Sequence, residues 1–362
     1  MHATDIFKGE LLKHAKEHER EEFVSRWNAL SQKCSDNDLK IETLFSWYLT
    51  YLNPVTSKEK MEKRLVTWFK NLNKTPLEYL KSIEDFYNAY CEVLEMQDRH
   101  AHLLSYLASD FWRIILCTSI LHNYSQSEIE TLKELLVKFY YQNWVAEQKE
   151  PKKQTNCNII NALKEKKNID DIISIVKQYL DENKITQNFR EKLKDDHLYE
   201  KHKKSSKNSW LKPILILVEY FMSDDTNPAY IKMDDDLHVE RILPQNPDPS
   251  SQWVKDFSEE EWVKDFSEEE RELYTHSLAN LTLLGGKKNT KALSQALNQD
   301  FKEKKEIYMG KPVVLDNKKT FKVMTCYDMT KNDVCRYTEW TPKSLEKREK
   351  DLMSIIESVL TL

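Results

Sequence analysis

The sequence predicts a mostly α fold, with a helical scaffold region over residues 1–225 followed by a smaller α+β domain over 226–362. Three observations carry that expectation. The 362 residues include only 4 Gly and 10 Pro against 32% charged and 11% aromatic residues, a mix that favours helices over sandwiches or barrels and a length that allows two cores. Apolar residues recur at three- and four-residue spacing from Thr4 to Met222. Past Pro228 the period switches to two.

In chain order, Thr4 is placed to cap a helix carrying Phe7, Leu11 and Leu12, and Phe23, Trp27 and Leu30 continue the pattern. The same spacing runs through Leu44, Trp47, Tyr48 and Tyr51, through Leu65, Trp68 and Phe69, and through Tyr79, Leu80, Ile83, Phe86, Tyr87 and Tyr90. Stripes at this spacing are core faces far more often than base-stacking platforms. The most apolar stretches, 103–121 and 210–221, are expected to be central helices, with Pro213 in the first turn of the second. Polar breaks fall near 35, 53 and 149 and from 201 (KHKKSSKNS).

Leu237-His238-Val239-Glu240-Arg241-Ile242-Leu243 alternates as a short strand up to Pro244, and Leu281–Leu284 forms a second strand ended by Gly285-Gly286. A Lys-rich stretch from Asn289 to Tyr308 reads as helix. Between the strands WVKDFSEEE at 253–261 is repeated unchanged at 262–270, and each copy ends in a Ser-x-x-Glu capping box (Ser258/Glu261, Ser267/Glu270). Nine residues of helix turn through a net half turn, so in one continuous helix the two Trp/Phe pairs would face opposite sides. The repeat therefore reads as an in-frame duplication taken up as a loop or extra turn.

A net charge of -5 excludes binding to nucleic acid through bulk positive charge. Charge is nonetheless segregated: 4 basic against 13 acidic residues in 231–270 give way to 17 basic against 12 acidic in 271–362, a local surface that suits phosphate. Six cysteines show no C-x-x-C spacing and are expected to be reduced thiols. No apolar run approaches the length of a membrane span and no leader pattern is visible, so a cytoplasmic protein is expected.

Strand, connection, strand, turn and helix is the ββα order of HNH (ββα-metal) nucleases. Such a site needs a hard-ligand cation, for which Glu240 and Asn289 are candidates, and a base beside it, which Asn280 is placed to orient. The chemistry favours His as base. LHVERILPQNP (237–247), LANLTLL (278–284), KKNTK (287–291), FKEK (301–304) with Tyr308, and WTPKSLEKR (340–348) together resemble the C-terminal HNH domain of GmrSD-type modification-dependent restriction endonucleases. TDIFKGELL (4–12) and EEFVSRWNAL resemble the opening of that family's helical middle region, whereas its Asp-Gly-Gln-Gln-Arg motif, from the nucleotide-binding N-terminal domain, is nowhere in the sequence.

The resemblance implies a DNA endonuclease-type subunit or fragment of a restriction or phage-defence system, using Mg²⁺ or a similar divalent cation if active. It implies DNA as partner, a separately encoded nucleotide-binding subunit, no nucleotide site in this chain and no membrane. Lys287, Lys288 and Lys304 become the expected DNA contacts. One departure decides what to expect of the activity: the family has His after the Glu, and this chain has Arg241, which is permanently protonated and cannot take a proton from water. Ala279, where Gly is usual, is milder. His238, three residues before 241, sides with Glu240 in a regular strand and replaces the base only through a bulge, and His276 reads as a surface or capping residue. Hydrolysis is expected to be impaired. The alternative is a non-catalytic DNA- or partner-binding scaffold on a degenerate HNH fold.

Overall fold

Helical periodicity in the sequence becomes helix in the computed structural model, which describes residues 3–204, 208–247, 249, 251–253, 266–286, 297–314, 320–323 and 325–362. In chain order come α1 (Ala3–His14), α2 (Glu17–Asp36), α3 (Ile41–Leu52), α4 (Met61–Leu72), α5 (Pro76–Leu94), α6 (Arg99–Ser105), α7 (Phe111–Leu121), α8 (Gln126–Glu147), α9 (Lys153–Lys164) and α10 (Ile169–Glu182). There follow α11 (Ile185–Leu193), α12 (Leu198–Lys204), α13 (Leu211–Phe221), β1 (Leu237–Arg241), α14 (Glu268–Thr275), β2 (Leu281–Gly285) and α15 (Phe301–Tyr308). The two-residue strands β3 (Val313–Val314), β4 (Thr320–Phe321) and β5 (Thr325–Cys326) and the helix α16 (Pro342–Leu360) complete the order. The chain is mostly α, and among the described residues the small amount of strand lies in its C-terminal part.

Two compact units share these elements: residues 1–96, 107–137 and 150–182 form the first, and 97–106, 138–149 and 183–362 the second. The first is wholly helical among the described residues. Its aromatic stripes point inward: Phe7, Phe45 and Tyr79 are buried, with Phe7 5.6 Å from Phe45 and 6.0 Å from Tyr79 between ring centroids. Edge-on contacts of this kind favour a fixed core over a surface for stacking bases. Thr4 lies inside the first turn of α1 rather than capping it. Thr75 does cap α5, accepting from the Glu78 N–H while Glu78 accepts from the Thr75 N–H, with Pro76 at the first helical position.

The stretch 103–121 is not one helix. It breaks between α6 and α7 because Ser109 Oγ accepts the Phe111 N–H and Asp110 binds Arg113, local partners that compete with continued helix. The two halves belong to different units.

In the second unit β1 pairs antiparallel with β2, Leu237 opposite Gly285 and Arg241 opposite Leu281, and β2 pairs with β5 to give the order β1-β2-β5. The strand expected to reach Leu243 ends at Arg241. Beyond it the Ile242 N–H still donates to the Asn280 carbonyl at 2.9 Å. Ile242, Leu243, Ala279, Leu284, Phe301, Tyr308, Val334, Trp340 and Leu345 form the core around the sheet. Arg348 of α16 is fully buried within it, donating to Asp333 and to the carbonyls of Ala279 and Leu281, so α16 is stitched to the entry of β2. Helices α11 to α13, assigned by sequence to the helical region, pack in this same unit. The capping box at Ser267 and Glu270 opens α14 as expected, while the Ser258/Glu261 copy lies outside the described residues.

Candidate functional site

Strand β1 presents the residues on which the chemistry was expected to turn, and alternation along it separates them. Glu240 reaches α15: its Oε1 accepts from Lys304 Nζ at 3.0 Å and from the Tyr308 hydroxyl at 3.2 Å. Arg241 instead lies against α12, with its guanidinium 4.6 Å from the Tyr199 ring centroid and one nitrogen donating to Gln245 at 2.7 Å. Tyr199 is also stacked on His276, at 6.1 Å and 12° between rings, and burial pushes its phenol up. Burial, and then the neighbouring Arg241 charge, hold the His276 imidazole below its usual range. Its Nδ1 is buried without a partner. An imidazole in that state is a poor cation.

Lys304 corrects an expectation. It was read as a DNA contact, but its side chain is fully buried, and besides Glu240 it donates to the carbonyls of Arg241 at 2.9 Å and Ile242 at 2.7 Å. All three ammonium protons have acceptors, so no donor remains for a phosphate. Burial lowers its pKa while Glu240 opposes the shift. The signal was present in the sequence. Phe301, Lys304 and Tyr308 follow at spacings of three and four on one helix face, and both aromatic neighbours are core residues.

Asn280 was expected to orient the base at 241. It is fully buried, accepts from the Leu243 N–H at 2.7 Å and Trp340 Nε1 at 3.1 Å, and donates to the carbonyls of Leu243 at 2.9 Å and Thr275 at 3.0 Å. These four bonds exhaust the useful capacity of one amide. Asn280 therefore clamps the backbone just past β1 and leaves Arg241 to Tyr199. His238 is engaged elsewhere: its Nε2 donates to the Gly286 carbonyl at 2.9 Å. Asn289, Lys287 and Lys288 lie outside the described residues.

A divalent cation finds little here. Among the described residues no group of three or more His, Cys, Asp or Glu is placed to hold a metal ion, and the Glu240 oxygen nearest α15 is committed to an ammonium and a hydroxyl. The described residues do not fit Mg²⁺ on their own, since a hard cation wants several oxygen ligands.

Sequence reading also missed a neighbouring feature. Tyr199, His202, Lys203, Ser209, Leu211, Lys212, Met233 and the β1 residues Leu237, His238 and Val239 line a cleft of about 530 Å³. Three of its lining residues, His202, Lys203 and Ser209, belong to KHKKSSKNS, a run whose polarity suggested only a break. His202 in that run is buried, edge-on to Trp210 at 4.3 Å and bonded through Nδ1 to Ser209 at 2.8 Å, and burial lowers it to about 4.

Residues 182–355 match the family described as GmrSD restriction endonucleases, C-terminal domain, and this part of the chain is a domain of that family. The match begins where the long continuous stretch of the second unit begins, at residue 183. No curated protein matches the chain. Among the described residues no helix is long and apolar enough to cross a membrane.

Proposed function

We propose that the C-terminal unit is an HNH-type DNA-engaging domain that holds DNA without hydrolysing it efficiently, acting in cytoplasmic restriction or phage defence beside a separately encoded nucleotide-binding subunit. One observation carries the proposal: the general-base position holds Arg241, whose guanidinium packs over Tyr199. A permanent cation there cannot deprotonate water, and it adds positive charge beside the carboxylate that would bind a metal. The nearby imidazoles are engaged elsewhere, His238 Nε2 with the Gly286 carbonyl and the His276 ring stacked on Tyr199. The same cation suits a phosphate, which supports retention of DNA when cleavage is lost.

The test is a mobility-shift titration of the purified chain with duplex and single-stranded DNA, run in parallel with a nicking assay in Mg²⁺ and in Mn²⁺. Binding with no nicking is the expected result. Nicking that disappears in Glu240→Ala overturns the proposal.

A further inference from the structure

The cleft beside β1 takes no part in the contacts of Glu240, Asn280 or Lys304. Three successive residues of β1, Leu237, His238 and Val239, line it. Successive side chains of a strand point to opposite faces, so an opening that touches all three runs along the strand's edge. β1 is an outer strand of the order β1-β2-β5, so that edge has no strand partner among the described residues. The cleft therefore adjoins the same strand that carries Glu240 and Arg241, and Tyr199 is common to the cleft wall and the Arg241 contact.

Its chemistry is two-sided. Lys203 and Lys212 line it and no Asp or Glu does among the described residues, in a chain whose net charge is -5. Leu211, Met233, Leu237 and Val239 give it an apolar side, with Met233 40% exposed. Ring nitrogens line it as well: His238, whose Nε2 serves Gly286, and His202, neutral at physiological pH, whose Nδ1 is bonded to Ser209. An anion with a flat, partly apolar body and hydrogen-bonding edges fits that set.

We infer that the cleft receives one unstacked nucleotide of a DNA strand, its phosphate against Lys203 and Lys212 and its base against Leu211, Met233, Leu237 and Val239. The inference rests on the DNA reading above. It adds where the strand runs: along the outer edge of β1, past Tyr199, towards Arg241. A base in the cleft has left its stack, so single-stranded DNA binds more tightly than duplex of the same sequence.

The experiment is fluorescence-anisotropy titration of the full chain with a labelled single-stranded oligodeoxynucleotide, the matching duplex and an unlabelled 5′-deoxynucleotide monophosphate as competitor. Lys203→Glu and Lys212→Glu each lower the oligonucleotide affinity about tenfold and reduce its salt slope by about 1. Met233→Glu, at an exposed position where folding is not at stake, weakens binding similarly. Lys63→Glu in α4 serves as the charge-matched control and leaves binding unchanged. Oligonucleotide binding that survives both lysine reversals, or that falls equally with Lys63→Glu, overturns the cleft while leaving the DNA reading in place. Direct binding of the mononucleotide, followed by isothermal titration calorimetry, without any binding of oligonucleotide or duplex overturns the DNA reading but keeps a nucleotide cleft. Binding of none of the three overturns both.

Discussion

Lys304 and Glu240 form a buried ion pair, Nζ to Oε1 3.0 Å, with the lysine side chain fully buried and the carboxylate 16% exposed. A charge so enclosed is tolerable only while every partner stays in place. Lys304→Met leaves two carbonyls without their donor and Glu240 with the Tyr308 hydroxyl alone, and is expected to destabilise the unit by about 3–5 kcal/mol. Urea titration measures this. The double variant Lys304→Met/Glu240→Gln should recover part of the loss. A single variant within about 1 kcal/mol of the parent would show that the pair does not hold α15 to β1.

Asn280 supplies a second expectation. Asn280→Asp keeps the shape but removes the amide protons that serve Leu243 and Thr275, and sets a carboxylate against two buried carbonyls. The expected loss is on the order of 3 kcal/mol, read by thermal or urea denaturation. If Asn280 served only to orient a group at 241, stability would be nearly unchanged.

The acid side of the stability curve should report His202. Its folded pKa is lowered to about 4 by burial, against an ordinary value of 6.5. Above 6.5 the ring is neutral in both states, and between 6.5 and about 4 the unfolded chain takes up the proton first, so stability falls as pH drops through that window. His202→Gln removes this contribution. Between pH 6.5 and 5 the melting temperature of His202→Gln should fall less than that of the parent; equal slopes would contradict the assignment.

The repeated segment gives a prediction with the opposite sign. Trp253 from the first copy and Phe266 from the second are both buried, 6.2 Å apart between ring centroids, although residues 254–265 separate them. Removing 254–262 restores one copy, with Trp and Phe four residues apart as in each original. The intervening chain falls from 12 residues to 3, two halvings of loop length, and this favours the folded state by about 1 kcal/mol. A loss of stability on deletion would mean that the second copy contributes contacts of its own.

Much of this was legible beforehand, for identifiable reasons. Period-3.6 stripes such as Tyr79, Ile83, Phe86 and Tyr90 need only local spacing, and the alternation of 237–241 announces a strand in the same way. Glu240, Arg241 and Asn280 stood out as candidates because they sit in short ordered motifs. What the residues bind was less legible, because it depends on elements far away in sequence. Asn280 is claimed by Trp340, 60 residues on, and Arg241 by Tyr199, 42 residues back. Lys304 was misjudged by treating a lysine as surface charge when its helical spacing put it on the apolar face. The cleft was invisible because it joins α12, α13 and β1 across more than 30 residues.

The most direct measurement is plasmid nicking under single-turnover conditions with Mg²⁺ or Mn²⁺, comparing the natural chain with Arg241→His and with Glu240→Ala as blank. The natural chain is expected to match the blank, and Arg241→His, which returns a titratable imidazole beside Glu240, is expected to nick. Nicking by the natural chain that is abolished in Glu240→Ala would contradict the central claim that Arg241 separates this endonuclease fold from endonuclease activity.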